Sequence, residues 1–341
     1  MALSVSSYHD TTGFEALSAE WDALLHRSAS DAIFLTLEYQ RTWWHHLGEG
    51  ELLILAVREG EVEGKLVGIA PLFATESPKG ERVLSTVGCV EVSDYLDLIV
   101  ARGCEEAVYG AMLDYLAAPH APAWDILDLC NTHEDSPTLD LLPAIAEARG
   151  WTVSTGRDDV CPIIPLPDTW EAYLHMLDSK QRRELRRKLR RADAQTALGW
   201  YVVGPEHNLE TEVEEFLRLM AASTPDKATF LTPRMRDFFR QLARIAYDAG
   251  WLQLAFLEVG GHKAAAYFNF VYNDRVLVYN SGLDWRTFPK LSAGIVLAAY
   301  CIRHAIEQGR DVVDFMQGDE RYKYQLGGQD VEVRRLAIRR A

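Results

Sequence analysis

The sequence predicts a mixed α/β protein of two domains, each a mostly antiparallel sheet flanked by helices, and three observations predict it. Residues 252–259, 264–272 and 275–281 are apolar runs of strand length, joined by the turn pairs Gly260-Gly261 and Asn273-Asp274, which makes an antiparallel meander. The meander feeds an apolar helix over 293–308, ended by Gly309, and then a strand over 312–315. A return of that kind needs a helical crossover and gives one parallel step. Finally, 341 residues suit two domains, and Pro162-Ile-Ile-Pro-Leu-Pro167 sets three prolines in six residues. Proline neither continues a helix nor sits centrally in a sheet, so domains over 1–166 and 167–341 are expected.

The remaining elements follow from apolar spacing. In the first half, Phe14, Leu17, Trp21, Leu24 and Leu25 predict a helix over 14–27, and residues 37–47 predict another. Runs at 52–57 and 66–73 flank a polar tip and read as a hairpin, with a further strand at 95–100. A helix at 105–116, a buried strand at 124–129, a helix at 139–149 closed by Gly150, and strands at 151–154 and 160–166 complete the half. The second half opens with helices at 170–177 and 180–195, a short strand at 200–203 and helices at 209–222 and 233–249. The last of these enters through Thr232-Pro233, a cap followed by proline at the first helical position. A helical turn at 320–324 and a strand at 331–338 end the chain.

Charge and cysteine content exclude several classes of function. The formal net charge of −15 disfavours non-specific nucleic-acid binding. Five scattered cysteines, odd in number and without a Cys-x-x-Cys pair, predict free buried thiols and neither a disulfide framework nor a zinc site. No metal-ligand spacing, Gly-x-x-x-x-Gly-Lys loop, dinucleotide Gly-x-Gly-x-x-Gly or Gly-x-Ser-x-Gly elbow is present. With no leader-like start and no apolar run of membrane-span length, a cytoplasmic location is expected.

One segment reverses the charge. Residues 180–191 hold eight basic side chains and one acid, Glu184. At about 100° per residue, Arg182, Arg183, Arg186 and Arg187 share a broad helix face with Arg190 and Arg191, while Leu185 and Leu189 lie opposite. Guanidinium forks suit phosphate, so this face is a candidate anion site; a solvated or internally neutralised face is the plainer alternative.

The order meander, glycine-entered helix, strand and short helix resembles the core of the GNAT acyltransferases. The chain as a whole is similar to their Fem/CelD-like branch, with two GNAT-like domains in tandem. The residues that carry the resemblance are Ser93-Asp-Tyr-Leu-Asp97, Cys161-Pro162, the Gln181–Lys188 run, Tyr279-Asn-Ser-Gly-Leu-Asp284, Leu291-Ser-Ala-Gly294 and Asp314-Phe-Met-Gln-Gly-Asp-Glu-Arg-Tyr-Lys323. Two departures are visible. The loop before Ala293 keeps only Gly294 of the Gln/Arg-x-x-Gly-x-Gly/Ala pattern, and the coiled-coil arm of the peptidoglycan aminoacyl transferases is absent.

The resemblance implies transfer of an acyl group from acyl-CoA, such as acetyl-CoA, to a small-molecule or peptide amine, with no metal. The alternatives are a non-catalytic binding module whose arginine helix docks an anionic partner, and a Fem-type enzyme with an aminoacyl-tRNA donor. It places the donor in the C-terminal domain, at Lys290, Leu291, Ser292, Ala293 and Gly294, where a helix start offers unpaired N–H groups and Ser292 can cap. Strand N–H groups around Ala265, Tyr267 and Phe268 would hold the donor and the oxyanion. Asp284 and Asp314 are candidate bases for direct attack by the amine, or simply turn caps and partners of arginine. Tyr322 or Tyr324 would protonate the leaving thiolate, Lys323 would meet an anionic leaving group or reach solvent, and Asp94 and Tyr95 would line an acceptor cleft.

Overall fold

The computed structural model of the chain describes residues 2–89 and 92–340. The chain forms two compact units, Met1–Asp159 with Glu332–Ala341, and Val160–Val331.

The first unit opens with strand β1 (Leu3–Tyr8) and helices α1 (Thr12–Ala16) and α2 (Trp21–Leu25). A single helix was expected across 14–27. It breaks where the Ser18 hydroxyl bonds back to the Glu15 carbonyl at 2.7 Å, an alternative to the helical ladder. A 3₁₀ turn (Ile33–Leu35) leads into α3 (Leu37–Leu47), capped by Thr36. Strands β2 (Glu51–Glu59), β3 (Leu66–Glu76) and β4 (Arg82–Thr86) form an antiparallel meander with β1. After β5 (Ile99–Val100) and α4 (Glu105–Ala117), strand β6 (Ile126–His133) returns parallel to β4. The strand expected over 95–100 shrinks to two residues because Asp97 is buried and gathers hydroxyls from Ser30 at 2.6 Å, Thr138 at 2.5 Å and Ser136. Helix α5 (Pro137–Glu147) and strand β7 (Thr152–Pro165) follow, β7 carrying the chain into the second unit.

The second unit contains α6 (Trp170–Met176), α7 (Ser179–Asp193), β8 (Leu198–Val202), α8 (Leu209–Ser223), α9 (Pro225–Phe230) and α10 (Pro233–Asp248). Then come β9 (Leu252–Val259), β10 (His262–Tyr272), β11 (Arg275–Leu283), α11 (Ala293–Glu307), β12 (Val312–Asp314), α12 (Arg321–Gln325) and β13 (Gln329–Arg339). Strands β8 to β11 are an antiparallel meander, and β12 lies parallel to β11. Helix α11 packs on this sheet through Val296, Leu297, Ala299 and Ala305, which have no exposed surface.

Both units thus have the same strand logic: four antiparallel strands, a helical crossover, one parallel step and a closing antiparallel strand. The closing strands are exchanged along the chain. Pro165, Ile164 and Ile163 of β7 pair with β12, whereas Val333–Arg339 of β13 pair with β6. The boundaries differ from 1–166 and 167–341: the last ten residues belong to the first unit, and the strand expected over 160–166 forms as the end of β7 but belongs to the second. That strand tolerates its prolines because their carbonyls still accept, as Pro162 does from the Phe315 N–H at 2.9 Å.

Free thiols throughout were also expected. Cys89 and Cys130 instead form a disulfide, while Cys104, Cys161 and Cys301 stay free. The pair is 41 residues apart in sequence and is brought together only by the tertiary fold. Among the described residues no helix is long and apolar enough to cross a membrane.

Candidate functional site

The parallel step of the second unit creates an opening. Strands β11 and β12 pair from Arg275 to Leu277, opposite Val312 to Asp314, and among the described residues the pairing goes no further. The β10 register pairs Phe268 with Asn280 and Asn269 with Val278, which makes Tyr279 the extra residue of a β-bulge. A bulge bends its strand and re-aims the side chains that follow. The end of β11 and the start of α11 then wall a cavity of about 360 Å³. Tyr267, Ser281, Leu283, Asp284, Ser292, Gly294 and Tyr322 lie on its wall, together with the apolar Trp285, Phe288 and Ile295.

Several expected residues meet here. Ser292, Ala293 and Gly294 bring the first turn of α11 to the cavity, and the first N–H groups of a helix have no partner within it. Ser292 is in the left-handed conformation, at φ 58°, and its side chain makes no cap; the expected capping bond is replaced by a place in the wall. A Cβ on Gly294 would come 2.9 Å from Leu283 Cδ2, so the glycine serves the close approach of α11 to β11. Asp284 ends β11. Its carboxylate accepts the Thr287 N–H at 3.0 Å, and that bond holds its pKa below the usual range. Tyr322 and Tyr267 are hydrogen-bonded to each other, and burial pushes the pKa of both phenols up, so both stay protonated at neutral pH.

Others are placed elsewhere. The expected N–H groups of Ala265 and Phe268 lie on β10, which is paired with β9 on one side and β11 on the other. The open strand is β11, one strand further on, because the parallel step and not the meander is where the ladder parts. Asp314 is fully buried, ion-paired with Arg275 at 2.8 Å, and accepts the Met316 N–H at 2.9 Å; it is not in the cavity wall. Lys323, 2% exposed, donates to the carbonyls of Met316, Gln317 and Gly318 at 2.6–3.0 Å and pairs with Glu320. Its ammonium donors are therefore spent on ordering the loop before α12, which turns through Met316 at φ 57°. Tyr324 bonds Asp330 at 2.8 Å. Leu291 is buried, and the Lys290 carbonyl accepts from Arg191 at 2.6 Å. Asp94 and Tyr95 belong to the first unit, where Tyr95 packs against His133.

Helix α7 forms as expected, with a capping box at Asp178 and Gln181 and with Leu185 and Ala192 buried. Arg186 pairs with Glu171 and Arg187 with Glu184. The guanidinium groups of Arg182 and Arg183 have no hydrogen-bonding partner among the described residues.

Sequence reasoning did not single out Ser281, Leu283, Trp285 or Phe288 as wall residues, although the first two lie in the Tyr279–Asp284 run it had marked. Lys227 on α9 was missed altogether. Its Nζ donates to the Ser281 carbonyl at 2.7 Å and lies 3.3 Å from both Asn280 Oδ1 and Ser281 Oγ. Nothing in the local sequence distinguishes this lysine from a surface one. Among the described residues no group of three or more His, Cys, Asp or Glu side chains is placed to hold a metal ion.

Comparisons with known proteins bear on this geometry. Residues 179–324, the span that holds the cavity, match the family model described as the acetyltransferase (GNAT) domain. No curated protein matches the chain by sequence. The chain superposes on the crystal structure of FemX with a TM-score of 0.65 at 12% identity, covering 97% of this chain and 96% of that one. It superposes on L-PGS from Bacillus licheniformis with a TM-score of 0.55 at 10% identity, covering 93% and 90%. For a conserved protein of unknown function from Bacteroides thetaiotaomicron the values are 0.57 and 13%, covering 94% and 97%. Each unit's antiparallel meander and parallel step and the whole-chain superposition together make this a protein of GNAT/Fem-like fold, whose residues 179–324 are similar to the acetyltransferase (GNAT) domain.

Proposed function

We propose that the second unit, as the C-terminal of two tandem GNAT-like domains, is an N-acyltransferase that moves an acyl group from an activated donor to a small-molecule or peptide amine. The observation that carries this reading is the cavity where β11 parts from β12 against the first turn of α11, with the Tyr267–Tyr322 pair in its wall. Leu283, Phe288 and Ile295 suit the acyl end of an acyl-CoA, and the N-terminus of α11 favours its polar, anionic part.

The residues divide the work. N–H groups of the first turn of α11 stabilise the oxyanion that forms as the carbonyl is attacked. Tyr322, kept protonated by burial, gives its proton to the departing thiolate and is supported by Tyr267. Asp284, kept anionic at neutral pH, holds the incoming amine by its N–H groups. Lys323 and Asp314 shape the loop and strand end that present Tyr322.

Thermal unfolding with acetyl-CoA and longer acyl-CoA esters tests the donor. A ligand at one hundred times its Kd adds about 2.7 kcal/mol of stability, and Tyr322→Phe should retain that shift while losing thiol release to added amines. Absence of any shift at millimolar concentration overturns the CoA donor and turns the search to an aminoacyl ester, such as aminoacyl-tRNA.

A further inference from the structure

We propose that Ser281, with Lys227 as its base, accepts the acyl group covalently, so that transfer in this cavity passes through a serine ester. The inference deepens the acyltransferase reading and rests on it for the use of the cavity, but not on the identity of the donor.

Ser281 stands in the cavity wall, two residues beyond the bulge at Tyr279. Lys227 reaches the same residue from α9, its Nζ 3.3 Å from Ser281 Oγ. That separation is within the looser range of nucleophile–base pairs in the absence of substrate. The amine is held in place by two further acceptors, the Ser281 carbonyl at 2.7 Å and Asn280 Oδ1 at 3.3 Å. Nucleophile, base and a third group that orients the base are the three parts an activated serine requires, and a lysine base is one of the forms this arrangement takes.

Chemistry and surroundings agree with that role. Among the described residues no carboxylate comes within ion-pairing distance of Lys227 Nζ. Burial pushes its pKa down to about 8, while Glu320, the charged group that acts on it from the loop before α12, works in the opposite direction. A lysine so placed has a lone pair available near neutral pH, which an exposed lysine lacks. The start of α11, on the same cavity, supplies the N–H groups for the oxyanion.

The two steps balance. In the first, the bond from Oγ to the acyl carbon forms, the bond from that carbon to the donor's sulfur or oxygen breaks, and the Ser281 proton passes to Lys227 Nζ. The leaving group departs with the electron pair and takes its proton from Tyr322, which regains one from solvent. In the second, the acceptor nitrogen attacks the ester carbonyl and the carbon–Oγ bond breaks. Oγ recovers the proton from Lys227, and the nitrogen releases its surplus proton to solvent.

The experiment treats the full chain with p-nitrophenyl acetate, and separately with acetyl-CoA, and locates the acetyl group by peptide mass mapping. The expected result with p-nitrophenyl acetate is one acetyl group on Ser281, formed faster as pH rises toward 8 and removed by an added amine. Lys227→Arg keeps a donor to the Ser281 carbonyl but cannot accept a proton, so labelling should slow by about 100-fold or more. Ser281→Cys should still be labelled and Ser281→Ala should not, which decides the matter even if the lysine variant fails to fold. Labelling of Ser281→Ala at the wild-type rate, or an unaltered rate in folded Lys227→Arg, overturns the proposal. Failure of both esters to label a chain that acetyl-CoA stabilises overturns the serine ester and leaves the transferase reading standing. Labelling by p-nitrophenyl acetate without any effect of acyl-CoA supports the serine ester and removes only the CoA donor.

Discussion

The Arg275 guanidinium and the Asp314 carboxylate lie 2.8 Å apart at the end of the short ladder between β11 and β12, immediately before the two strands part. Asp314 has no exposed surface and also accepts the Met316 N–H, so the pair fixes both the end of the ladder and the turn into the loop. Arg275→Met leaves that carboxylate buried without its counter-charge. Urea unfolding should show a loss of about 3 kcal/mol, the range for breaking one side of a buried pair. A base role for Asp314 predicts the opposite emphasis, with folding intact and turnover lost.

Two glycines near the cavity should respond differently to alanine. At Gly282 the added Cβ would sit 2.6 Å from the Met220 nitrogen and 2.8 Å from the Leu219 carbonyl carbon, backbone atoms of α8 that cannot move alone. Gly282→Ala should cost about 2 kcal/mol or more in denaturant unfolding. At Gly294 the contact is with the tip of Leu283, and alanine favours the helix, so Gly294→Ala should stay within about 1 kcal/mol of wild type. Gly294→Glu adds charge at the start of α11 and should weaken binding of an anionic donor while the fold persists by circular dichroism.

Lys227 makes stability depend on alkaline pH. Its folded pKa is pushed down to about 8 from 10.5, so between these values the unfolded chain binds more protons than the folded one. Stability then rises with pH across that window, and the cost of burying the charged amine is fully present below about pH 8. Compared with Lys227→Met, the wild-type chain should gain stability from pH 8 to 10 in urea titrations. Parallel curves for the two proteins would mean that the lysine titrates normally.

The arginine helix divides into two pairs. Arg186 and Arg187 already face Glu171 and Glu184, while Arg182 and Arg183 are unengaged among the described residues. If α7 binds anions, Arg182→Glu with Arg183→Glu should abolish a salt-sensitive association with inorganic pyrophosphate, and the same change at Arg186 and Arg187 should do less. Stability should move by no more than about 0.5 kcal/mol in the first double variant, as expected for exposed positions. Equal pyrophosphate binding by both variants and the wild-type chain removes α7 as an anion site.

The sequence by itself determined many of the individual elements. Residues 37–47 and 293–307 are helical as apolar spacing demanded, and the meander over 252–283 follows its turn residues. Periodicity and capping act over a few residues, so they are legible locally. The arginine face of α7 was legible for the same reason, with Leu185 buried beneath it. Only the tertiary structure decided which strands close which unit, because β7 and β13 carry no local mark of their partners. It alone joined Cys89 to Cys130, and it moved the open strand edge from β10 to β11 through three rungs of parallel pairing. Lys227 and Ser281, 54 residues apart, meet by the packing of α8 against β11 and of α9 against α8. The environment that turns a lysine into a base, loss of water and a fixed set of acceptors, is made by contacts remote in sequence, so no reading of adjacent residues contains it.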